Sequence, residues 1–190
     1  MNGFGGVDLA VLAERVLAAP ARLGHTRLVL IDGPSGAGKT TLAYALAGTV
    51  PVELVHTDDL VDGWDDQFTY WDRLERLVLR AIREGRPGRY QPYDWFEGRF
   101  DGEAIEVPPA DVLVVEGVGA GRAQGRTEAS LCVYVDAPLA VREARSLARD
   151  GAAMQEHLRE WRRREDLHFA ADATRWCSDF VIWGDIGSAA

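Results

Sequence analysis

The octapeptide GPSGAGKT at residues 33–40 constrains the fold of this chain more than any other segment. It fits the phosphate-loop pattern G-x-x-x-x-G-K-[ST], and its flanks supply the buried strand (residues 28–31) and the helix (residues 41–47) that the pattern requires. A chance match in a chain rich in Ala, Gly and Arg is the alternative. It is disfavoured because strand, loop and helix agree, and the segment therefore predicts a nucleotide-binding site.

The one lysine of the chain, Lys39, lies inside this segment, and arginine carries every other strong positive charge. A compact ammonium on a thin stem suits the β- and γ-phosphates better than a planar guanidinium. Glycines let the backbone N–H groups turn inward, the following helix adds its dipole, and Thr40 offers a hydroxyl to Mg²⁺. The predicted phosphate-binding residues are Gly33, Ser35, Gly36, Ala37, Gly38, Lys39, Thr40 and Thr41.

The composition excludes several classes of protein. A net charge of −9 argues against coating DNA or RNA, which usually requires a basic surface. No apolar stretch is long enough to span a membrane, and the N-terminus lacks the pattern of a signal peptide. Cys132 and Cys177 show no metal-binding spacing, so we expect reduced thiols in a cytoplasmic protein. The expected partners are ATP and a small-molecule acceptor, and a homo-oligomer is left open.

Strand-like and helical segments alternate along residues 8–183, and the strands are continuously apolar. This pattern predicts an α/β fold of the P-loop NTPase type, with a parallel sheet covered by helices on both faces. We expect one domain over residues 1–190. Within it we expect an accessory N-terminal helix (1–24), a hairpin at the acceptor site (86–107) and a lid with its following helix (137–169).

Carboxylates follow three predicted strands, at the edge of the sheet where ligands of such folds bind. Glu116 is predicted to hold Mg²⁺ together with Thr40, directly or through water, and Asp58 to orient or deprotonate the acceptor hydroxyl. An Asx turn or helix cap is the alternative for Asp58 and its neighbour Asp59, and a plain surface loop for Glu116. Asp32 is undecided between support of the site and a purely structural role.

Three arginines, Arg142, Arg145 and Arg149, recur at helical spacing and so share one face of a predicted helix. Arg145 and Arg149 are predicted to reach the triphosphate and stabilise the charge that moves during transfer. The alternative is a solvated basic face. The later run at residues 162–164 alternates with Glu160, Glu165 and Asp166, and we interpret that helix as exposed and salt-bridged.

The aromatic segment at residues 88–100 is predicted to contact the acceptor. Tyr93 and Trp95 could stack on a nucleobase, or they could pack under the hairpin. Arg99, with Arg86 and Arg89, could instead bind the phosphate of a nucleoside monophosphate acceptor. The sequence assigns no role to Trp64, Trp71, Trp161 and Trp176.

Together these motifs resemble the uridine kinase group of P-loop kinases, which also includes phosphoribulokinase and pantothenate kinase. The resemblance covers residues 27–183 and rests on five pieces: IDGPSGAGKT at 31–40, the acidic turn at Asp58, PYDW at 92–95, VVEG at 114–117 and the segment 145–150. It implies a five-stranded parallel core with a small hairpin over the acceptor, ATP and Mg²⁺ as cofactors, and the acceptor-site aspartate at Asp58. It places the nucleoside-contacting segment at residues 93–95 and the lid arginines at Arg145 and Arg149.

The resemblance is weaker where the acceptor is recognised. Leu60 and Val61 follow the aspartate pair where the family carries aromatic residues, and Phe96 follows the PYDW segment where the family carries a histidine. The expected activity is transfer of the γ-phosphate to a hydroxyl of a nucleoside or of a similar polar metabolite. A nucleoside monophosphate kinase is the alternative enzyme, and an ATP-binding regulatory protein without turnover is the alternative from another class.

Overall fold

Five parallel strands form the centre of the structure, a computed structural model that describes residues 8–184. The described residues contain nine strands, of which five form this sheet: β1 (Arg27–Asp32), β2 (Glu53–His56), β3 (Gly88–Tyr90), β4 (Tyr93–Asp94), β5 (Arg99–Phe100), β6 (Ile105–Val107), β7 (Val112–Glu116), β8 (Ala129–Asp136) and β9 (Phe180–Trp183). The central sheet has the order β2–β7–β1–β8–β9. This confirms the five-stranded parallel core expected from the sequence.

Helices cover both faces of the sheet. They do so because successive side chains of β1 point to opposite faces, and the apolar side chains on each face need to be buried. Leu28 and Leu30 join one buried cluster, and Val29 and Ile31 join the other. The helices are α1 (Leu9–Ala18), α2 (Lys39–Ala47), α3 (Trp71–Leu74), α4 (Arg80–Arg83), α5 (Ala123–Arg126), α6 (Leu139–Asp150), α7 (Gln155–Asp172) and α8 (Thr174–Cys177). A π-helical turn, Glu75–Leu79, joins α3 to α4, so the two form one continuous helix with one wide turn.

The segment between α4 and β7 differs from the single short hairpin that the sequence suggested. It is a nested pair: β3 pairs with β6, and β4 pairs with β5 at the tip, both antiparallel. The short helices α5 and α8 were not predicted, because four residues are too few to establish a periodicity.

The predicted accessory helix corresponds to α1, which is capped by the side chain of Asp8, and residues 1–7 of that prediction lie outside the described part. The predicted lid and following helix correspond to α6, a 3₁₀ turn (Ala152–Met154) and α7, which ends at Asp172. Within residues 8–184, no helix is both long enough and apolar enough to cross a membrane.

Candidate active site

A cavity of about 1030 Å³ lies at the carboxyl ends of the strands, between the loop after β1, the turn after β2 and the helices α6 and α7. It opens beside β1, where the direction of strand addition changes. The strands β2 and β7 lie on one side of β1, and β8 and β9 lie on the other. Open α/β sheets bind ligands at such a position. The fold therefore brings the phosphate loop and the predicted carboxylates to one place.

Glycine is required in the loop by two close backbone contacts. Gly33 has a φ of +136°, and a Cβ there would lie 2.0 Å from the carbonyl oxygen of Val135. Gly36 has a φ of +78°, and a Cβ there would lie 2.5 Å from the carbonyl oxygen of Arg142 in α6. Larger residues would both strain the backbone and push α6 away. The loop is thus packed directly against the helix that carries the predicted lid arginines.

Lys39 begins α2 and is buried, with its Nζ 3.2 Å from the carbonyl oxygen of Pro34. The next residue, Thr40, donates its hydroxyl to Oε1 of Glu116, 3.0 Å away. The same carboxylate oxygen lies 2.6 Å from Nδ1 of His56, and this hydrogen bond raises the pKa of the histidine. A hydroxyl and a buried carboxylate in contact are the hard oxygen donors that Mg²⁺ prefers, so this pair fits the predicted metal site.

Asp58 lies in the 3₁₀ turn (Thr57–Asp59) after β2, and its side chain faces the cavity. Burial raises its pKa, and the nearby Glu116 adds to the effect, while Lys39 and Arg149 oppose it. The side chain is accessible through the cavity, and the protein around the cavity still desolvates the carboxylate, which favours its neutral form. A carboxylate with a raised pKa opposite a phosphate loop is suited to accept a proton.

Asp32 is held by backbone N–H groups of the loops that follow β1 and β7. Its two oxygens accept hydrogen bonds from the backbone N–H groups of Gly33, Gly119 and Gly121, at 2.6 to 2.8 Å. The side chain is fully buried, and it does not line the cavity. It fixes the turn after β7 against the start of the phosphate loop.

The three arginines of α6 separate in the structure. Arg145 donates to the carbonyl oxygen of Gly36, 3.2 Å away, and Arg149 pairs with Asp150; both line the cavity. Arg142 instead donates to the carbonyl oxygen of Ala137 and does not line it. Arg145 and Arg149 thus line the same cavity as the phosphate loop, while Arg142 supports its own helix.

The hairpin contributes only part of the predicted acceptor site. Trp95 lines the cavity and donates its indole N–H to the carbonyl oxygen of Asp58, at 3.2 Å. Tyr93 packs on Phe100 and Trp95 outside the cavity, and Arg99 is exposed and pairs with Asp101. The structure therefore does not bring Tyr93 and Arg99 to the site. Of the predicted phosphate-loop residues, the buried Gly33 and Ala37 support the loop from behind.

Three residues of the site escaped the sequence prediction. Glu165 was interpreted as part of an exposed, salt-bridged helix, and for this residue that is wrong. It is fully buried, and its Oε1 accepts hydrogen bonds from the N–H and the hydroxyl of Ser35. Trp161, one turn earlier on α7, donates to the same hydroxyl, and Trp64 packs on Trp161. In a charged helix, one inward-facing carboxylate leaves no signal in the sequence pattern.

Comparison with known proteins supports the resemblance. A uridine kinase from Staphylococcus epidermidis is 27% identical over 145 residues, which cover 67% of this chain and 70% of the relative. A cytidylate kinase from Pyrobaculum aerophilum is 28% identical over 141 residues, covering 74% of this chain and 70% of the relative. No protein-family model matches the sequence. The resemblance to uridine kinase-like P-loop kinases is thereby confirmed.

Among solved structures, a possible uridine kinase from Bacillus stearothermophilus superposes with a TM-score of 0.66 at 20% identity. The match covers 91% of this chain and 96% of that protein. At this level of identity the superposition shows a shared fold, and it does not show a shared substrate.

Proposed function

We propose that this chain, a uridine kinase-like P-loop kinase and hence a phosphotransferase that acts on a hydroxyl group, uses ATP and Mg²⁺ to phosphorylate a nucleoside or a similar polar alcohol. The observation that carries the proposal is the single cavity in which the phosphate loop and Asp58 face one another. Phosphoryl transfer needs a donor site, a cation to stabilise charge and a carboxylate at the acceptor hydroxyl. In this proposal Lys39 belongs to the donor site, Arg145 is the cation that stabilises charge, and Asp58 is the carboxylate at the acceptor hydroxyl.

In the proposed reaction, the acceptor oxygen forms a bond to the γ-phosphorus. The bond from that phosphorus to the oxygen that bridges the β- and γ-phosphates breaks at the same time. The hydroxyl proton passes to the carboxylate of Asp58, and ADP leaves with the electron pair. The backbone of the loop and Lys39 hold the phosphates, and Arg145 and Arg149 stabilise the charge on the transferring group. Thr40 and Glu116 would hold Mg²⁺, which supplies further charge neutralisation when bound.

The distribution of charge favours an acceptor without a phosphate. The arginines considered for a monophosphate lie elsewhere: Arg86 pairs with Glu84, Arg99 pairs with Asp101, and Arg89 is exposed on β3. None of the three lines the cavity. The cytidylate kinase relatives keep a monophosphate acceptor as the second candidate, and the same experiment separates the two.

Mg²⁺-dependent release of ADP from ATP tests the proposal, measured across nucleosides, their monophosphates, sugars and other alcohols. Lys39→Ala serves as the blank. We expect at least one alcohol to stimulate the wild type only. Stimulation by monophosphates alone would favour the second candidate. ATP binding with no stimulation by any acceptor would favour a regulatory protein.

A further inference from the structure

His56 ends strand β2 directly beside Glu116, which ends β7. The two residues are partners across the parallel strands, so the sheet itself brings their side chains to the same edge. Nδ1 of the imidazole lies 2.6 Å from Oε1 of Glu116. The carboxylate is buried, with 5% of its side chain exposed, whereas 26% of the histidine side chain is exposed. The proposed reaction uses Glu116 and leaves this contact without a role.

The direction of this hydrogen bond follows from the chemistry of its acceptor. An ionised carboxylate has acceptor atoms only, so the proton of the contact belongs to Nδ1 of His56. On the other side of the ring, Nε2 lies 3.2 Å from the hydroxyl of Tyr44, which can donate to it when the imidazole is neutral. The rings of Tyr44 and His56 also contact each other, with centroids 5.6 Å apart. Helix α2 thus helps to hold the ring with Nδ1–H directed at Glu116.

Two donors meet at one oxygen of Glu116. Oε1 accepts hydrogen bonds from Nδ1 of His56 at 2.6 Å and from the hydroxyl of Thr40 at 3.0 Å. Among the hydrogen bonds described within residues 8–184, none reaches the second oxygen, Oε2. Glu116 and Thr40 both line the cavity. The carboxylate is therefore held through one oxygen while it still faces the space in which Mg²⁺ is expected.

Glu116 needs this support because like charges lie close to it. Burial raises the pKa of Asp58 and of Asp59, and the negative charge of Glu116 adds to the effect at both. Lys39 and Arg149 oppose it at Asp58. In the part of the chain that the structure describes, no hydrogen bond joins either cation to Glu116. Its orientation among the acidic neighbours therefore depends on the hydrogen-bond donors at Oε1.

We propose that His56 is a positioning residue for the Mg²⁺ site, whose Nδ1–H holds the carboxylate of Glu116 in the orientation that serves the cation. His56 does not line the cavity, so it acts through Glu116 and not on the nucleotide. Partners behind a metal-binding side chain fix its orientation before the metal arrives, and their loss lowers metal affinity by about 10- to 100-fold. The inference rests on the proposed function, because it concerns the cation that this function requires.

Binding of Mn²⁺ to the complex of enzyme and ADP tests this role without turnover. Free Mn²⁺ is followed by its electron paramagnetic resonance signal, with the enzyme in excess over ADP. We expect His56→Ala to raise the Mn²⁺ dissociation constant about tenfold and to change the affinity for ADP in EDTA by less than about threefold. His56→Asn keeps an N–H donor near the position of Nδ1 and should stay within about threefold of the wild type. The matched control is His25→Ala, because His25 is exposed in the turn before β1.

Three results would overturn the inference while the metal site stands. The first is an unchanged Mn²⁺ dissociation constant in His56→Ala. The second is a loss in His56→Asn as large as that in His56→Ala, because the N–H donor would then not be the group that matters. The third is an equal loss of ADP affinity in EDTA, which would show that His56 serves the fold.

If His56→Ala does not fold, the wild type labelled with ¹⁵N decides. A long-range ¹H–¹⁵N spectrum of its complex with ADP and Mg²⁺ shows which ring nitrogen is protonated. We expect a proton on Nδ1, and a proton on Nε2 alone would overturn the inference.

Failure of the proposed function can be told apart from failure of this inference. If the wild type binds ADP and no Mn²⁺, the metal site of the proposed function fails, and the role of His56 fails with it. If Mn²⁺ binding follows the expected pattern while no acceptor stimulates ADP release, the kinase function fails and the positioning of Glu116 by His56 stands.

Discussion

Oε1 of Glu165 accepts hydrogen bonds from both the backbone N–H and the side-chain hydroxyl of Ser35, so helix α7 is tied to the phosphate loop. The N–H bond is 3.0 Å long. The second oxygen, Oε2, is buried without a partner among the described residues, and burial raises the pKa of this carboxyl. A residue of a highly charged helix therefore helps to set the shape of the nucleotide site.

We expect Glu165→Ala to raise the KM for ATP by about tenfold, because Ser35 would lose the acceptor that fixes its N–H and hydroxyl. Glu165→Gln keeps an oxygen acceptor and should retain most of the affinity. The matched control is Glu160→Ala on the exposed face of the same helix, where the carboxylate pairs with Arg163 and Arg164. Equal KM values for the Glu165→Ala and Glu160→Ala variants would contradict the role given to Glu165.

Lys39→Ala should lower kcat/KM by at least about a hundredfold, as expected when a preorganised cation is removed from a charged transition state. The fold should remain, because the ammonium contacts only the carbonyl oxygen of Pro34 in the hydrogen bonds described for it. Activity and the melting temperature are measured together. A melting temperature that falls in parallel with activity would show that Lys39 serves the fold instead.

Asp58→Asn should lower kcat by about 10²- to 10⁴-fold, since an amide cannot take the acceptor proton. The affinity for ATP should change little. Asp59→Asn is the neighbouring control, because Asp59 is bound by the hydroxyl of Tyr90 at the edge of the site. An equal loss of kcat and ATP affinity in Asp58→Asn would assign Asp58 to the metal site.

The pH dependence of kcat/KM should carry the signature of Asp58. Burial raises the pKa of this carboxyl, so it protonates at a higher pH than an ordinary aspartate. Only the ionised form can accept the proton, and activity should therefore be lost as the pH falls, starting above the usual aspartate range. A rate profile measured with ATP saturating tests this. An acid limb near pH 3.8 or below would contradict it.

Asp32→Asn should destabilise the fold by about 1–3 kcal/mol, because an amide replaces an oxygen that now accepts buried N–H groups. Urea denaturation measures the change in the free energy of unfolding. Asp136→Asn is a control at the carboxyl end of the neighbouring strand, where the side chain is partly exposed. If Asp32→Asn left stability unchanged while abolishing activity, Asp32 would instead act on the substrate.

The sequence predicted the parts of the site that depend on local pattern. The phosphate loop is a contiguous motif, and Glu116 follows an apolar strand, so both could be located without knowing how the chain folds. The registers Ile31–Glu116 and His56–Glu116 then bring separate strand ends together, as parallel pairing requires. The parallel sheet and the helices on both of its faces followed from the alternation of elements, whereas the order of the strands was not predicted.

The tertiary parts of the site could not be predicted in the same way. Glu165 and Trp161 reach the loop because α7 folds back over it, and no periodicity in a charged helix marks which carboxylate turns inward. Tyr93 and Trp95 are two residues apart and looked equivalent. In the structure Tyr93 pairs with Phe100 across β4 and β5, whereas Trp95 lies just beyond the end of β4 and reaches the carbonyl oxygen of Asp58.

The contact between Gly36 and the backbone of Arg142 bears on how much order the arginines of α6 lose or gain when the nucleotide binds. Because the loop and α6 touch through their main chains, and Arg145 donates to the carbonyl oxygen of Gly36, folding itself brings this guanidinium to the loop. Part of the entropy of ordering it is thus lost on folding, before the nucleotide arrives, and is not subtracted from the binding energy. Arg149, whose side chain is 60% exposed, pairs with Asp150 of its own helix instead of with the loop, so the loop positions only one of the two arginines in advance.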